Sequence, residues 1–163
     1  MKNTSEHNRI LVLALGNDIM GDDAVGLLAA RRLADRVKNG VDIMEALVAG
    51  FALMDLFEGY DKMLLLDTIV SGRLAPGSVV EFSATDFVRQ YSLSPHFASL
   101  GEILELAKRI EIQFPLEIRI VAMEVKDPFI LREGVSAEVS QNLDEMVDTA
   151  AAILRKWGCL KPA

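Results

Sequence analysis

The 163 residues predict an α/β domain, a three-layer α/β/α sandwich around a mostly parallel sheet with one antiparallel strand. Three observations carry this. The runs at Ile10–Leu15 and Lys62–Leu66 are almost continuously apolar instead of alternating, the pattern of strands covered on both faces. Segments with apolar residues at helical spacing separate such runs, so strand and helix mostly alternate along the chain. One run, Ser78–Phe82, does alternate, and it follows turn signals at Ser71-Gly72 and Pro76-Gly77, which marks an antiparallel edge strand.

Met1 to Arg9 is polar and reads as a mobile tail, leaving residues 10–160 as one domain. Ile10–Leu15 is the first strand. A loop follows, and then a helix over Ala24–Val37 with Val25, Leu28, Ala29, Leu33 and Val37 on its apolar side, closed by Asn39-Gly40. Val41–Leu47 is the second strand, Gly50–Glu58 a short helix ended by Gly59, and Lys62–Asp67 a third strand ending on an aspartate. After the edge strand, Thr85–Gln90 forms a single helical turn, and Ser92–His96 is a loop that Pro95 stiffens. Phe97–Ile110 is a helix, Leu116–Met123 the last strand and Lys126–Pro128 a loop. Ser136 starts a long helix with Val139, Leu143, Met146, Val147, Ala150, Ile153, Leu154 and Trp157 as its core face, and Gly158 ends it.

Composition narrows the function classes. A net charge of −7 offers no concentrated basic face for nucleic acid or for an anionic membrane. No apolar run reaches the ~18 residues of a spanning helix. The polar start lacks the apolar centre of a signal peptide, so the expected compartment is the cytoplasm. Cys159 is the one cysteine, so no intrachain disulfide exists, and it reads as a passive small apolar residue.

The chemistry concentrates in the stretch from Leu15 to Gly26, which holds three glycines and three aspartates between a strand and a helix. In open α/β sheets, loops after the carboxyl ends of strands bind ligands. The neighbouring carboxylates of Asp22 and Asp23 repel, a cost offset by a cation or a proton. Asp67 at the end of the third strand and His96 in a later loop fall in places that could share the same sheet edge. Two carboxylates and an imidazole suit zinc, nickel or a similar divalent ion, and three protein ligands leave a position open for water or substrate. The carboxylates alone could serve general acid/base chemistry. Each residue also has a plainer structural role available: helix capping for Asp22 and Asp23, turn capping for Asp67 before Thr68, and an incidental loop position for His96.

Leu15-Gly16-Asn17 followed by Gly21-Asp22-Asp23-Ala24-Val25-Gly26 resembles the opening signature of the NiFe-hydrogenase maturation endopeptidases. Asp67-Thr68 with Ser71-Gly72, and Ser94-Pro95-His96 with Leu100, resemble that family's second and third motifs, in the same order and at similar separations. The resemblance implies a twisted five-stranded sheet between helices. It implies one cut near the C-terminus of a hydrogenase large-subunit precursor after nickel insertion, by a peptidase of aspartic type. It places the metal trio on Asp23, Asp67 and His96, with Asp23 and Asp67 as the catalytic candidates and Asp22 outside the ligand set. The nickel is carried by the precursor, and other divalent ions could occupy the site. The partner is that precursor, with no nucleic acid and no membrane, and the chain is expected to act as a monomer.

Two departures from the family pattern stand out. Ala14 replaces a frequent glycine, and Met123-Glu124-Val125 replaces a frequent glycine-glutamate-proline, which puts the shape of the nearby substrate groove in question.

No His-Glu-x-x-His zinc-protease motif is present, Cys159 is badly placed for a nucleophile, and a rigid proline separates Ser94 from His96. Two routes remain. The trio could recognise nickel held by the precursor, or a bound metal could activate water. Two other classes compete. A receiver-like phosphoacceptor domain would use the acids, magnesium and Lys126, with Asp67 accepting phosphate. Against it, Asp22 stands seven residues past Leu15, and His96 has no task. A nucleotide-binding module would need a different glycine spacing, and acids at a helix start repel phosphate.

Overall fold

The structure is a computed structural model that describes residues 9–86 and 100–162. The described strands are β1 (Ile10–Leu15), β2 (Val41–Ala46), β3 (Lys62–Ile69), β4 (Val79–Ser83) and β5 (Glu117–Glu124). The described α-helices are α1 (Val25–Ala34), α2 (Leu53–Phe57), α3 (Leu100–Arg109) and α4 (Ala137–Lys156). Short 3-10 turns at Gly21–Ala24 and Gly50–Ala52 lead into α1 and α2.

The five strands form one sheet in the order β2-β1-β3-β5-β4. β1 pairs in parallel with β2 and β3, and β3 with β5; β4 is antiparallel to β5 at the edge, as its alternation predicts. Because the central strands β1 and β3 are almost continuously apolar, both faces must be covered, and each is. Val12, Ala14, Leu64 and Leu66 pack under α1 and α4, while Leu11, Leu13, Leu15, Met63 and Leu65 pack under α2 and α3. The chain leaves β1 for β2 on one side and returns to β3 on the other. That reversal makes the β1/β3 boundary a topological switch point, where such sheets hold their ligands.

Two expected boundaries and one expected core position differ in the structure, each for a tertiary reason. Helix α1 stops at Ala34, short of Val37. Val37 instead bridges Leu160, flanked by bonds from Lys38 N to Cys159 O (2.8 Å) and from Lys161 N to Arg36 O (2.9 Å), so pairing with the C-terminal segment overrides the helical spacing. Strand β3 continues two residues beyond Asp67 to Ile69, because β5 supplies partners through Glu124 and two β-branched residues suit the extension. Asp67 therefore lies inside the strand and not at its end. Trp157, expected in the core, is only half-buried: its indole donates to Glu117 Oε1 at 3.0 Å and Lys62 Nζ sits 5.4 Å from the ring centroid.

Residues 1–8 of the expected tail, and the Ser92–His96 loop, lie outside the described residues, as do 87–90 of the expected helical turn. Arg9, the last residue of that tail, donates its backbone N–H to Asp61 and stacks its guanidinium 4.7 Å from the Tyr60 ring centroid. Ser136 accepts from Val139 N, the expected cap of α4, and Gly158 ends that helix with φ +73°.

Candidate functional site

The loop after β1 folds back sharply on itself, and its glycines explain how. A Cβ on Gly16 would stand 2.0 Å from the carbonyl oxygen of Asp23, so only glycine lets the loop close here. A Cβ on Gly26 would stand 2.6 Å from Leu66 O and 2.8 Å from Leu15 O, so that glycine lets α1 begin directly against the ends of β3 and β1. Between them, Met20 N bonds Asn17 O and Asp23 N bonds Met20 O, both at 3.1 Å, while the Asn17 side chain accepts from Ile19 N at 3.1 Å. The result places Asp23, 6% exposed, at the switch point.

Asp67 is fully buried on the adjacent strand. By alternation it shares the α2/α3 face with Leu65 and Ile69, whereas Thr68 faces α1. The Thr68 hydroxyl donates to Asp23 Oδ1 at 3.3 Å, and the Thr68 N–H donates to Asp67 Oδ1 at 2.7 Å. Thr68 thus touches both carboxylates. The bond to Thr68 N is the local contact a turn-capping Asp67 would make, but it forms within a strand.

Asp22, 8% exposed, has a different task. Met20 and Ala24 hold the cap positions of this turn and of α1 and make no side-chain cap bond, while Asp22 and Asp23 lie within the first turn. One oxygen of Asp22, Oδ1, accepts from Arg132 Nη2 at 2.9 Å and from Ser136 N at 2.5 Å. The cation demanded by the adjacent carboxylates is, for Asp22, a protein guanidinium. The loop and the 129–134 segment are further joined by a Met20–Arg132 bridge and by Arg132 N bonding Ile19 O at 3.3 Å. A groove of about 350 Å³ runs along this seam, between Asp18 and Ile19 on one side and Leu131–Gly134 on the other.

Glu124, 2% exposed, closes the other flank. Its carboxylate accepts from Ser71 N (2.9 Å), Ser71 Oγ (2.6 Å) and Gly72 N (2.9 Å), and its backbone bonds Gly77 N and Ser78 O. One residue therefore organises both ends of the connection that follows Asp67-Thr68. The sequence reading singled out Glu124 only as part of a departure from a family pattern, and it missed Arg132. A buried charge at the end of the apolar run Ile120–Met123 was the available signal for Glu124; Arg132 offered none.

His96, the third residue of the expected trio, lies outside the described residues; in sequence it stands four positions before Leu100, the first residue of α3. Among the described residues no set of three or more His, Cys, Asp or Glu side chains is arranged to hold a metal ion. Asp23 and Asp67 supply two oxygen donors of the kind such an ion takes. Cys159 is buried on the far side of the molecule's chemistry, and burial pushes its thiol pKa up, in keeping with a passive packing role.

A family model described as hydrogenase maturation protease matches residues 27–157, a span that includes Asp67 and His96 and begins just after Gly26. The chain is 28% identical over 156 residues to the hydrogenase 2 maturation protease of Escherichia coli K12, covering 92% of this chain and 93% of that protein. Among solved structures it is similar to the hydrogenase maturating endopeptidase HybD from E. coli, with a TM-score of 0.80, 25% identity, and 93% and 94% of the two chains covered. It is also similar to the NiFe hydrogenase maturation protease HybD from Thermococcus kodakarensis, with a TM-score of 0.67, 28% identity, and 89% and 98% covered.

Proposed function

The chain belongs to the hydrogenase maturation protease family, and from that premise we propose that it is the endopeptidase that removes the C-terminal tail of a NiFe-hydrogenase large-subunit precursor once nickel is in place. Nickel arrives as part of the substrate. Asp23, Asp67 and His96 read it: two hard oxygens and a borderline nitrogen fit that ion, and three protein ligands leave room for the precursor's own. Holding the ion seats the neighbouring tail against the sheet edge, so that an unloaded precursor is left uncut. Asp23 or Asp67 then serves as the base for the attacking water, which makes the peptidase aspartic in type.

The observation that carries this reading is the meeting of Asp23 and Asp67 through Thr68 at the β1/β3 switch point. Supporting it, Ile19, Leu47, Phe51 and Phe129–Leu131 are exposed in the loops after β1, β2 and β5, an apolar rim suited to a protein substrate more than to a small molecule. The receiver-like alternative has no support: Asp22 is committed to Arg132 and Ser136, and the family match points elsewhere. The protein acts as a monomeric cytoplasmic domain spanning residues 10–160; among the described residues no helix is long and apolar enough to cross a membrane.

The deciding experiment incubates the purified chain with nickel-loaded and with nickel-free precursor and follows tail release by intact mass. Release from the loaded form alone is the expected result, and a folded His96→Ala variant should release none. Equal cutting of both forms would remove nickel recognition from the account, and cutting of neither would remove the activity.

A further inference from the structure

We propose that Asp22 and Arg132 are the positioning pair of this site. The inference rests on the reading above and names residues that do not themselves touch the ion. Asp22 precedes Asp23, and its carboxylate accepts from Arg132 Nη2 and Ser136 N. That has two effects. The pair cancels the charge of Asp22, so the loop presents one anionic ligand to the ion rather than two that repel each other. It also anchors the Asp22–Asp23 backbone to the start of α4, 114 residues along the chain, through a contact separate from that of Thr68.

Asp23 is thereby held from two directions: its own Oδ1 by the Thr68 hydroxyl, and its backbone by the neighbour's latch. Arg132 reaches Asp22 from a segment that adds its own constraints, since Arg132 Nε bonds Gly134 O at 3.2 Å and its backbone N bonds Ile19 O. The guanidinium is half-exposed and its partner largely buried, so loss of Arg132 leaves a buried carboxylate one donor short beside the ligand. A displacement of Asp23 on the order of 1 Å suffices to weaken a recognition geometry by up to ~100-fold.

The test uses the full chain with R132M, R132K and D22N variants, measuring thermal midpoint, kcat and KM for nickel-loaded precursor, and affinity for nickel-free precursor. For R132M the expected result is a KM roughly tenfold higher for loaded precursor, unchanged affinity for the unloaded form, and partial recovery in R132K, because the charge returns without the planar fork. D22N keeps an acceptor for Ser136 N and should fold, with a smaller rise in KM. If KM and the preference for loaded precursor stay at the wild-type values, while any loss in kcat follows the fall in thermal midpoint, the pair is only a structural brace and the proposal is overturned. If wild type itself shows no preference for loaded precursor, the underlying reading fails and this one falls with it, a result visible before any variant is made.

Discussion

The Thr68 hydroxyl donates to Asp23 Oδ1 across 3.3 Å, so the strand that carries Asp67 also grips the loop that carries Asp23. Thr68 is fully buried, and its own N–H bonds Asp67. Replacing it by valine keeps the shape and exchanges the hydroxyl for a methyl group. Thr68→Val should lower stability by about 1–3 kcal/mol, the cost of taking a donor from a buried carboxylate. It should also slow tail release from nickel-loaded precursor, whereas Thr68→Ser, which keeps the hydroxyl, should retain most activity. Denaturant midpoints and cleavage rates measured on the same preparations separate the two effects.

The glycines of the loop after β1 and of the 71–72 turn should rank by space and not by conformation alone. Gly16→Ala meets the Asp23 carbonyl at 2.0 Å and should prevent the loop from closing, with loss of activity and a large fall in thermal midpoint. Gly26→Ala meets Leu66 O at 2.6 Å and should cost about 1–3 kcal/mol, typical of overpacking. Gly72→Ala, with φ +65° and nothing within 4 Å of the added carbon, should cost only backbone strain of about 1–2 kcal/mol. Thermal melts of the three variants give the order directly.

Glu124 should act on the 71–72 turn and little else. Glu124→Ala removes the acceptor for three hydrogen bonds and should sharply raise amide exchange at Ser71 and Gly72, with the β1 amides unchanged. Glu124→Gln keeps an oxygen for both backbone donors and should exchange nearly as wild type. Residue-resolved hydrogen exchange reads both.

Away from the site, Glu117 should govern part of the acid sensitivity. Burial by itself raises its pKa, but hydrogen bonds from Lys62 and Trp157 and the positive charges of Lys62 and Arg119 outweigh burial and bring it below the usual 4.5. A lowered folded-state pKa stabilises the protein fully above the ordinary carboxylate value and loses that contribution as pH falls through the lowered one. The stability gap between wild type and Glu117→Gln should therefore hold from neutral pH to mildly acidic pH and shrink below about 4.5. Chemical denaturation across that range measures it; a gap that widens in acid would contradict the assignment.

Much of this architecture is legible in the residues themselves. Ile10–Leu15 and Met63–Leu66 announce doubly covered strands because nothing polar interrupts them, and Ser78–Phe82 announces an edge because Glu81 does. The residues that local pattern misplaces are those whose fate is decided far along the chain. Val37 keeps helical spacing yet leaves the helix for Leu160, and Thr68 and Ile69 extend β3 because β5 runs beside them. The candidate site divides the same way. Asp23 and Asp67 are visible as acids beside apolar strands. The Asp22–Arg132 pair spans 110 residues with no periodicity to reveal it, so adjacent carboxylates suggested a bound cation where the protein supplies its own. His96, which spacing alone left open and the family resemblance brought into the trio, awaits the activity test.

Parallel pairing of β1 with β3 joins segments some fifty residues apart, and β2 with its two connections must be made in between. Closing so long a loop comes late in folding. The two carboxylates therefore have no common location on a nascent or half-folded chain. If the proposed reading holds, a polypeptide still emerging from synthesis could not engage the nickel of a precursor, and competence to inspect a client would arise only with the finished fold.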